Sequence, residues 1–314
     1  MNFLDVKTDY AFKKVFGSEN SKHILISFLN ALIYFDRKHK IKDLTIVDPY
    51  NIPMIKGIKD TFVDVKALLD DETKVIIEMQ VLNHKGFEKR VLYNAAKNYS
   101  TQLDKKDKYH LLNPVIALSI VDFIMFEESS EVINNFKLLE KEKFINYSDD
   151  IELVFVELPK FKKDISALDN IKEQWIYFVK NAGSLEYIPD NIEDEVKEAL
   201  GSANKANMTP EELELQHKKK EWIYIQKSSI ELAEESGMER GMERGMERGM
   251  EQGMERGMER GMKRGMERGI EKGVEQGLKE KSFEIAKNLL DILDDETIAV
   301  KTGLNLEEVA RLRE

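Results

Sequence analysis

The hydrophobic pattern along this chain changes period several times, and each change marks an element. Phe12, Val15 and Phe16 recur at helical spacing until Gly17 interrupts them, and Ile24, Leu25, Phe28, Leu29 and Leu32 resume it. Residues 8–35 are therefore expected to form two helices, with Thr8 or Asp9 as the opening cap. Leu44–Val47 predicts a short strand, ended by Asp48-Pro49. Two apolar runs follow, Phe62–Leu69 and Thr73–Val81, separated by the polar Asp70-Asp71-Glu72; this is the pattern of an antiparallel hairpin. Phe87–Leu103 predicts a helix that buries Phe87, Val91, Leu92, Ala95, Ala96 and Tyr99. Pro114–Phe123 is almost continuously apolar and suits a strand covered on both faces, and Ile151–Leu158, stopped by Pro159, predicts another. Helical spacing returns at Trp175, Ile176 and Val179, and again at Val196 and Leu200. Helices, three strands, a helix and two more strands make a mixed α/β core with helices packed on a sheet.

The hairpin carries the first chemical signal. Side chains alternate along a strand, so Asp64 is expected on the face of Phe62, Lys66 and Leu68, and Glu78 on that of Ile76 and Gln80. A three-residue loop at Asp70–Glu72 pairs Leu69 with Thr73 and sets Asp64 opposite Glu78. Like charges facing each other destabilise a sheet, and a carboxylate within an apolar run is costly to bury. A divalent cation between the acids, protonation of one of them, or a one-residue slip of register would each resolve the conflict. An ordinary solvated hairpin face is the plain alternative. Just beyond, Lys89, Arg90, Tyr93 and Lys97 fall on a second side of the predicted helix, either as a phosphate-contacting face or as an ordinary exposed one.

After a loop at Gly201–Pro210, a long helix is expected from Glu211, and the chain then becomes repetitive. Between Gly237 and Gly277 glycine recurs at every fourth position, eleven times, mostly as Gly-Met-Glu-Arg. Four residues advance roughly 400° around an α-helix, so the methionine and glycine stripes wind around it. Arg240 with Glu243 and its equivalents add i,i+3 pairs worth tenths of a kcal/mol, whereas each glycine costs about 1 kcal/mol relative to alanine. A solvated linker and an oligomerising helix both fit that balance. The tail, residues 282–314, predicts short helices: Ile285, Ala286, Leu289 and Leu290 form one stripe, Asp294 opens a second helix, Gly303 breaks it and Asn305 caps a third. Three regions are thus expected, at 1–230, 231–281 and 282–314.

Composition narrows the classes. The 314 residues contain no cysteine, which excludes disulfides and thiolate metal sites and is compatible with a reducing cytoplasm. The opening Met1-Asn2-Phe3-Leu4-Asp5-Val6-Lys7 lacks a signal pattern, and no apolar run reaches the length of a membrane span. A formal net charge of −11 means that any nucleic-acid contact needs a local basic patch.

Asp64, a thirteen-residue gap, and Glu78-Met79-Gln80 together resemble the PD-(D/E)XK nuclease motif, with Gln80 standing where most members carry Lys. With Thr8-Asp9-Tyr10-Ala11-Phe12-Lys13-Lys14-Val15-Phe16-Gly17 and the Arg90–Tyr99 stretch, residues 1–230 resemble the Rpn family of recombination-promoting nucleases, also labelled transposases. Gln at this place is common in that family. The resemblance implies a restriction-endonuclease-like α/β fold and a metal-dependent DNA endonuclease. It implies that Asp64, Glu78 and the Met79 carbonyl hold Mg²⁺, or another divalent ion such as Mn²⁺ or Ca²⁺. It also implies that Gln80 orients the attacking water and that Asp9 adds an acid. Lys66 would supply the missing charge or pair with an acid. Lys66, Lys89, Arg90, Tyr93 and Lys97 would contact DNA. The rivals are a non-catalytic DNA-binding or scaffolding descendant, and a structural protein acting through its repeat as a homo-oligomer.

Overall fold

The computed structural model describes residues 1–35, 37–51, 61–103 and 107–313. It divides into two compact units, Met1–Ile230 and Glu231–Glu314. In the first, helices α1 (Asp9–Phe16) and α2 (Lys22–Leu32) precede strands β1 (Leu44–Val47), β2 (Tyr50–Asn51), β3 (Thr61–Phe62), β4 (Val65–Leu69) and β5 (Lys74–Gln80). Helix α3 (Phe87–Ser100), strands β6 (Val115–Val121), β7 (Ile133–Leu139) and β8 (Asn146–Glu157), and helices α4 (Ile171–Asn181) and α5 (Asp194–Ser202) follow. Helix α6 runs from Pro210 to Leu289 and so belongs to both units.

Six strands form a mixed sheet in the order β1-β4-β5-β6-β8-β7. The pairs β5–β6 and β6–β8 are parallel and the others antiparallel. The centre of the sheet is the most apolar run of the chain: every residue of β6 is buried, as a strand sandwiched between helical layers requires. On one face Ile116, Leu118, Ile120, Val75, Ile77 and Met79 join a core built with α1, α2, α4 and α5. Aromatic rings lock that layer, with Phe16 to Phe28 at 4.4 Å and Phe28 to Trp175 at 5.5 Å between centroids. On the other face Ile76, Val115, Ala117 and Val121 pack under Phe87, Val91 and Ala95 of α3.

The hairpin has the expected register. Val65 pairs with Ile77, Ala67 with Val75 and Leu68 with Lys74, and the Leu69 N–H donates to the Thr73 carbonyl at 2.9 Å. Its loop is Asp70-Asp71-Glu72, with Glu72 in the left-handed region at φ 63° and its N–H bonded to Leu69 O at 3.0 Å.

Three expectations are revised. Strand β7 has no counterpart in the sequence reading: Ile133-Asn134-Asn135-Phe136-Lys137-Leu138-Leu139 lies at the sheet's edge with most side chains exposed, so burial imposes no alternation on it. Strand β8 begins at Asn146, not Ile151, because its first half pairs only with β7. Helix α3 ends at Ser100, and Leu92 (52% exposed) and Ala96 face outward while Asn94, Lys97 and Asn98 are buried.

In the second unit α7 (Asp295–Thr302) and α8 (Leu306–Ala310) pack on the end of α6 through Ala286, Ile298, Leu304 and Val309. The Asp294 side chain accepts from Thr297 N at 2.9 Å, and Asn305 with Glu308 forms a capping box. Between them Gly303 closes α7 at φ 72°, a conformation that favours glycine. No described helix is long and apolar enough to cross a membrane.

Candidate active site

The site forms where β4 parts from β5. The β4–β5 ladder closes at Val65–Ile77, one residue short of Asp64. At Asp64 the chain kinks: its N–H donates to Ile77 O at 3.0 Å, and its carboxylate accepts from Met79 N at 2.8 Å, replacing the next rung of the sheet. The kink also inverts the alternation. Val63 packs under α3 with Ile76, whereas Val65 packs on the opposite face, so Asp64 does not continue the Lys66–Leu68 face as the alternation predicts. The side chain of Phe62 lies outside the described residues.

Glu78 lies two residues beyond Ile76 on β5, beside Ser119 of β6, and its side chain is 14% exposed. Burial pushes its carboxyl up to about 7; the Arg90 guanidinium opposes the rise, and the charges of Asp64 and Asp9 reinforce it. Burial likewise raises the Asp64 carboxyl, against the Met79 N–H and with the Asp9 charge added. Asp64, Glu78 and Asp9 therefore act on one another electrostatically, at the open end of the strands.

Each acid is met by a basic side chain from a different helix. Lys13 of α1 lies 3.5 Å from Asp64, Lys219 of α6 lies 3.4 Å from Asp9, and Arg90 of α3 bonds Glu78. Arg90 also donates to the Gln80 side-chain oxygen at 2.7 Å, while the Gln80 amide nitrogen donates to Leu82 O at 2.7 Å. The left-handed Gly86, at φ 85°, starts α3 so that Phe87 enters the core and Arg90 reaches back over β5. Helix α6 is tied to α1 through Tyr10 to Glu212 and through Thr8 Oγ1 to Gln216 Oε1 at 2.8 Å. Thr8 therefore occupies the position before α1 without capping it by its side chain.

Asp9, Asp64, Glu78, Met79 and Gln80 are thus gathered at one end of the sheet. Lys66 is not: the charges acting on it are Lys74 and Asp48, and burial lowers its pKa first of all. On α3, Lys89, Arg90 and Tyr93 are exposed, but Lys97 is only 8% exposed, so it does not belong to the exposed face. Lys13 and Lys219 were not singled out from the sequence. Lys13 had a readable signal, four residues after Asp9 on one helical face; Lys219, more than 200 positions from its partner, had none.

Two carboxylates and a backbone carbonyl form an oxygen-only donor set, which suits a hard divalent cation that keeps several waters. Met79 lies on β5 beyond the last rung shared with β4, so its peptide edge faces the gap that Asp64 enters. Among the described residues no group of three or more His, Cys, Asp or Glu side chains forms a metal cage. The donors present fit an ion held by one or two carboxylates, not one enclosed by protein.

No curated protein and no solved structure matches the chain. Residues 6–233 match the family described as PD-(D/E)XK nuclease family transposase. That span takes in both acids, the helices that meet them and the whole sheet, and the mixed α/β architecture is restriction-endonuclease-like. By this match over most of its length, the chain belongs to the PD-(D/E)XK nuclease family transposases.

Proposed function

We propose that this protein is a divalent-metal-dependent endonuclease that hydrolyses phosphodiester bonds of DNA, leaving breaks that promote recombination. The observation that carries this reading is the kink at Asp64, which brings a buried carboxylate onto the Met79 peptide beside Glu78. Asp64, Glu78 and the Met79 carbonyl would hold the ion, with Mg²⁺, Mn²⁺ and Ca²⁺ as candidates. Such an ion supplies Lewis-acid activation of water and offsets charge at the scissile phosphate. The chain's own part is to hold the acids ionised and aligned. The Met79 N–H fixes Asp64, and the Arg90 charge counters the effect of burial on Glu78. Exposed Lys89 and Tyr93 on α3 are suited to backbone phosphates next to the site.

One observation favours a second reading, a DNA-binding protein without turnover. The Gln80 amide is held at both ends, by Leu82 O and by Arg90, and Lys13 and Arg90 stand against the two acids. Nicking of supercoiled plasmid in Mg²⁺, Mn²⁺, Ca²⁺ or chelator decides between them. Metal-dependent nicking that is lost in Asp64→Ala and Glu78→Ala, with circular dichroism unchanged, supports the nuclease. DNA retention without nicking in any cation supports the alternative. We also propose that the glycine repeat of α6 brings copies of the chain together; added Cβ atoms at Gly237–Gly277 would meet nothing within one chain.

A further inference from the structure

We infer that Arg90 is a catalytic residue that contacts the scissile phosphate, and that Gln80 is the positioning residue that aims it. This role rests on the nuclease reading above. Gln80 is poorly placed to orient water: its nitrogen is committed to Leu82 O at 2.7 Å and its oxygen to Arg90 at 2.7 Å. A neutral amide held at both ends is a bracket. What it holds is a guanidinium.

The geometry of that guanidinium is one-sided. Both of its hydrogen bonds, to Glu78 and to Gln80, run through Nη2. Among the described residues, Nη1 and Nε have no hydrogen-bond partner, and the side chain is 42% exposed. The group also sits over the Phe87 ring, 5.2 Å from its centroid, which limits its swing. Arg90 is thus anchored at one nitrogen on a partly exposed side chain, next to two acids suited to an ion. A fork of donors held in this way matches the oxygens of a phosphate. In hydrolysis a water oxygen bonds to phosphorus, the P–O ester bond breaks, and the departing oxygen takes up a proton, leaving a phosphomonoester and a hydroxyl. Arg90 gains and loses no proton in that exchange; it offsets the charge that gathers on the phosphoryl oxygens. Because it bonds Glu78 as well, it is carried to the place where the reacting phosphate must lie.

The test uses the full chain and three variants: Arg90→Gln, Gln80→Ala and the pair Arg90→Gln with Gln80→Lys. Two quantities are read, single-turnover cleavage of supercoiled DNA in Mg²⁺ and the affinity for Ca²⁺ by titration calorimetry. Arg90→Gln is expected to slow cleavage about 100-fold, the scale of losing one preorganised charge. Its Ca²⁺ affinity should be equal or tighter, since a cation competing for Glu78 has gone. Gln80→Ala, which leaves α3 and its charge in place, is expected to slow cleavage about tenfold with Ca²⁺ binding retained. Lysine at position 80 should restore at least about tenfold to Arg90→Gln by returning the charge to β5. Cleavage at the wild-type rate in Arg90→Gln, loss of Ca²⁺ binding in step with cleavage, or no recovery with lysine would each overturn the role. A wild type that cleaves in no divalent cation removes the nuclease reading and this role together. A wild type that cleaves alongside an unimpaired Arg90→Gln removes this role alone.

Discussion

Glu78 and Glu157 are both buried acids, and their surroundings differ in how many partners each carboxylate has. Glu157, fully buried at the end of β8, accepts from Phe126 N at 3.1 Å, Asn134 Nδ2 at 3.0 Å and Met125 N, and pairs with Lys160. Its oxygens are fully used, so Glu157→Ala is expected to cost about 3–5 kcal/mol in chemical denaturation by stranding those partners. Glu78 has one cation and two acids near it. Burial raises its folded-state pKa from the ordinary 4.5 to about 7, so the folded protein binds this proton more tightly than the unfolded chain does. The stability linked to that proton is complete below about pH 4.5 and is lost as pH rises through 7. Glu78→Gln removes the titration. In chelator, the wild type should therefore lose up to about 3 kcal/mol relative to Glu78→Gln between pH 4.5 and 8 in urea melts; parallel curves would sink the idea. Both acids of the hairpin were legible in the sequence because a carboxylate inside an apolar run is a conflict visible without coordinates. Their pairing with Lys13 and Arg90 was not, since those bases arrive from two separate helices, α1 and α3.

Among the elements, those with a strong period were the readable ones. The hairpin's register followed from alternation and a polar turn, down to the pairing of Leu69 with Thr73. What alternation could not supply was the kink at Asp64, where a side chain takes over a backbone partner. Edge strand β7 was invisible for the opposite reason: with most side chains in solvent, nothing requires its apolar residues to alternate. On α3 the error was one of phase, with Leu92 placed inside and Lys97 outside, the reverse of what the structure has. Helix α6 carries its own prediction. Deleting residues 237–277 should leave plasmid nicking intact and lower the particle mass seen by light scattering by more than the deleted mass. Replacing four of the glycines with alanine separates intrinsic helicity from close approach. Ellipticity should rise, by about 1 kcal/mol of helix propensity per site. Particle mass should fall if backbones of neighbouring copies pack along the glycines.

For the molecule as a whole, charge is the organising fact. A chain of net charge −11 repels DNA at long range, so under the proposed function binding would rest on basic groups collected near the acids. With Ca²⁺ in place of Mg²⁺, the logarithm of DNA affinity should fall linearly with that of salt concentration. Lys89→Ala, at an exposed position, should lower the slope by about one. Lys97→Ala, at a buried position, should leave the slope alone and lower the melting temperature instead. Equal effects on the slope would mean that the α3 surface is not the DNA face.

The strapping of α1 to α6 has a consequence for how the protein is made. Thr8 reaches Gln216 and Asp9 reaches Lys219, so the first helix is fixed by residues that leave the ribosome some two hundred positions later. Until then Asp9 lacks its Lys219 partner, although Phe12, Val15 and Phe16 seat α1 in the core, and the candidate site is incomplete. A polypeptide released early, for example residues 1–205, should fold its sheet yet leave plasmid intact, and adding residues 206–230 as a separate peptide should restore cutting. The order of synthesis would in this way keep an unfinished nuclease harmless to the cell translating it.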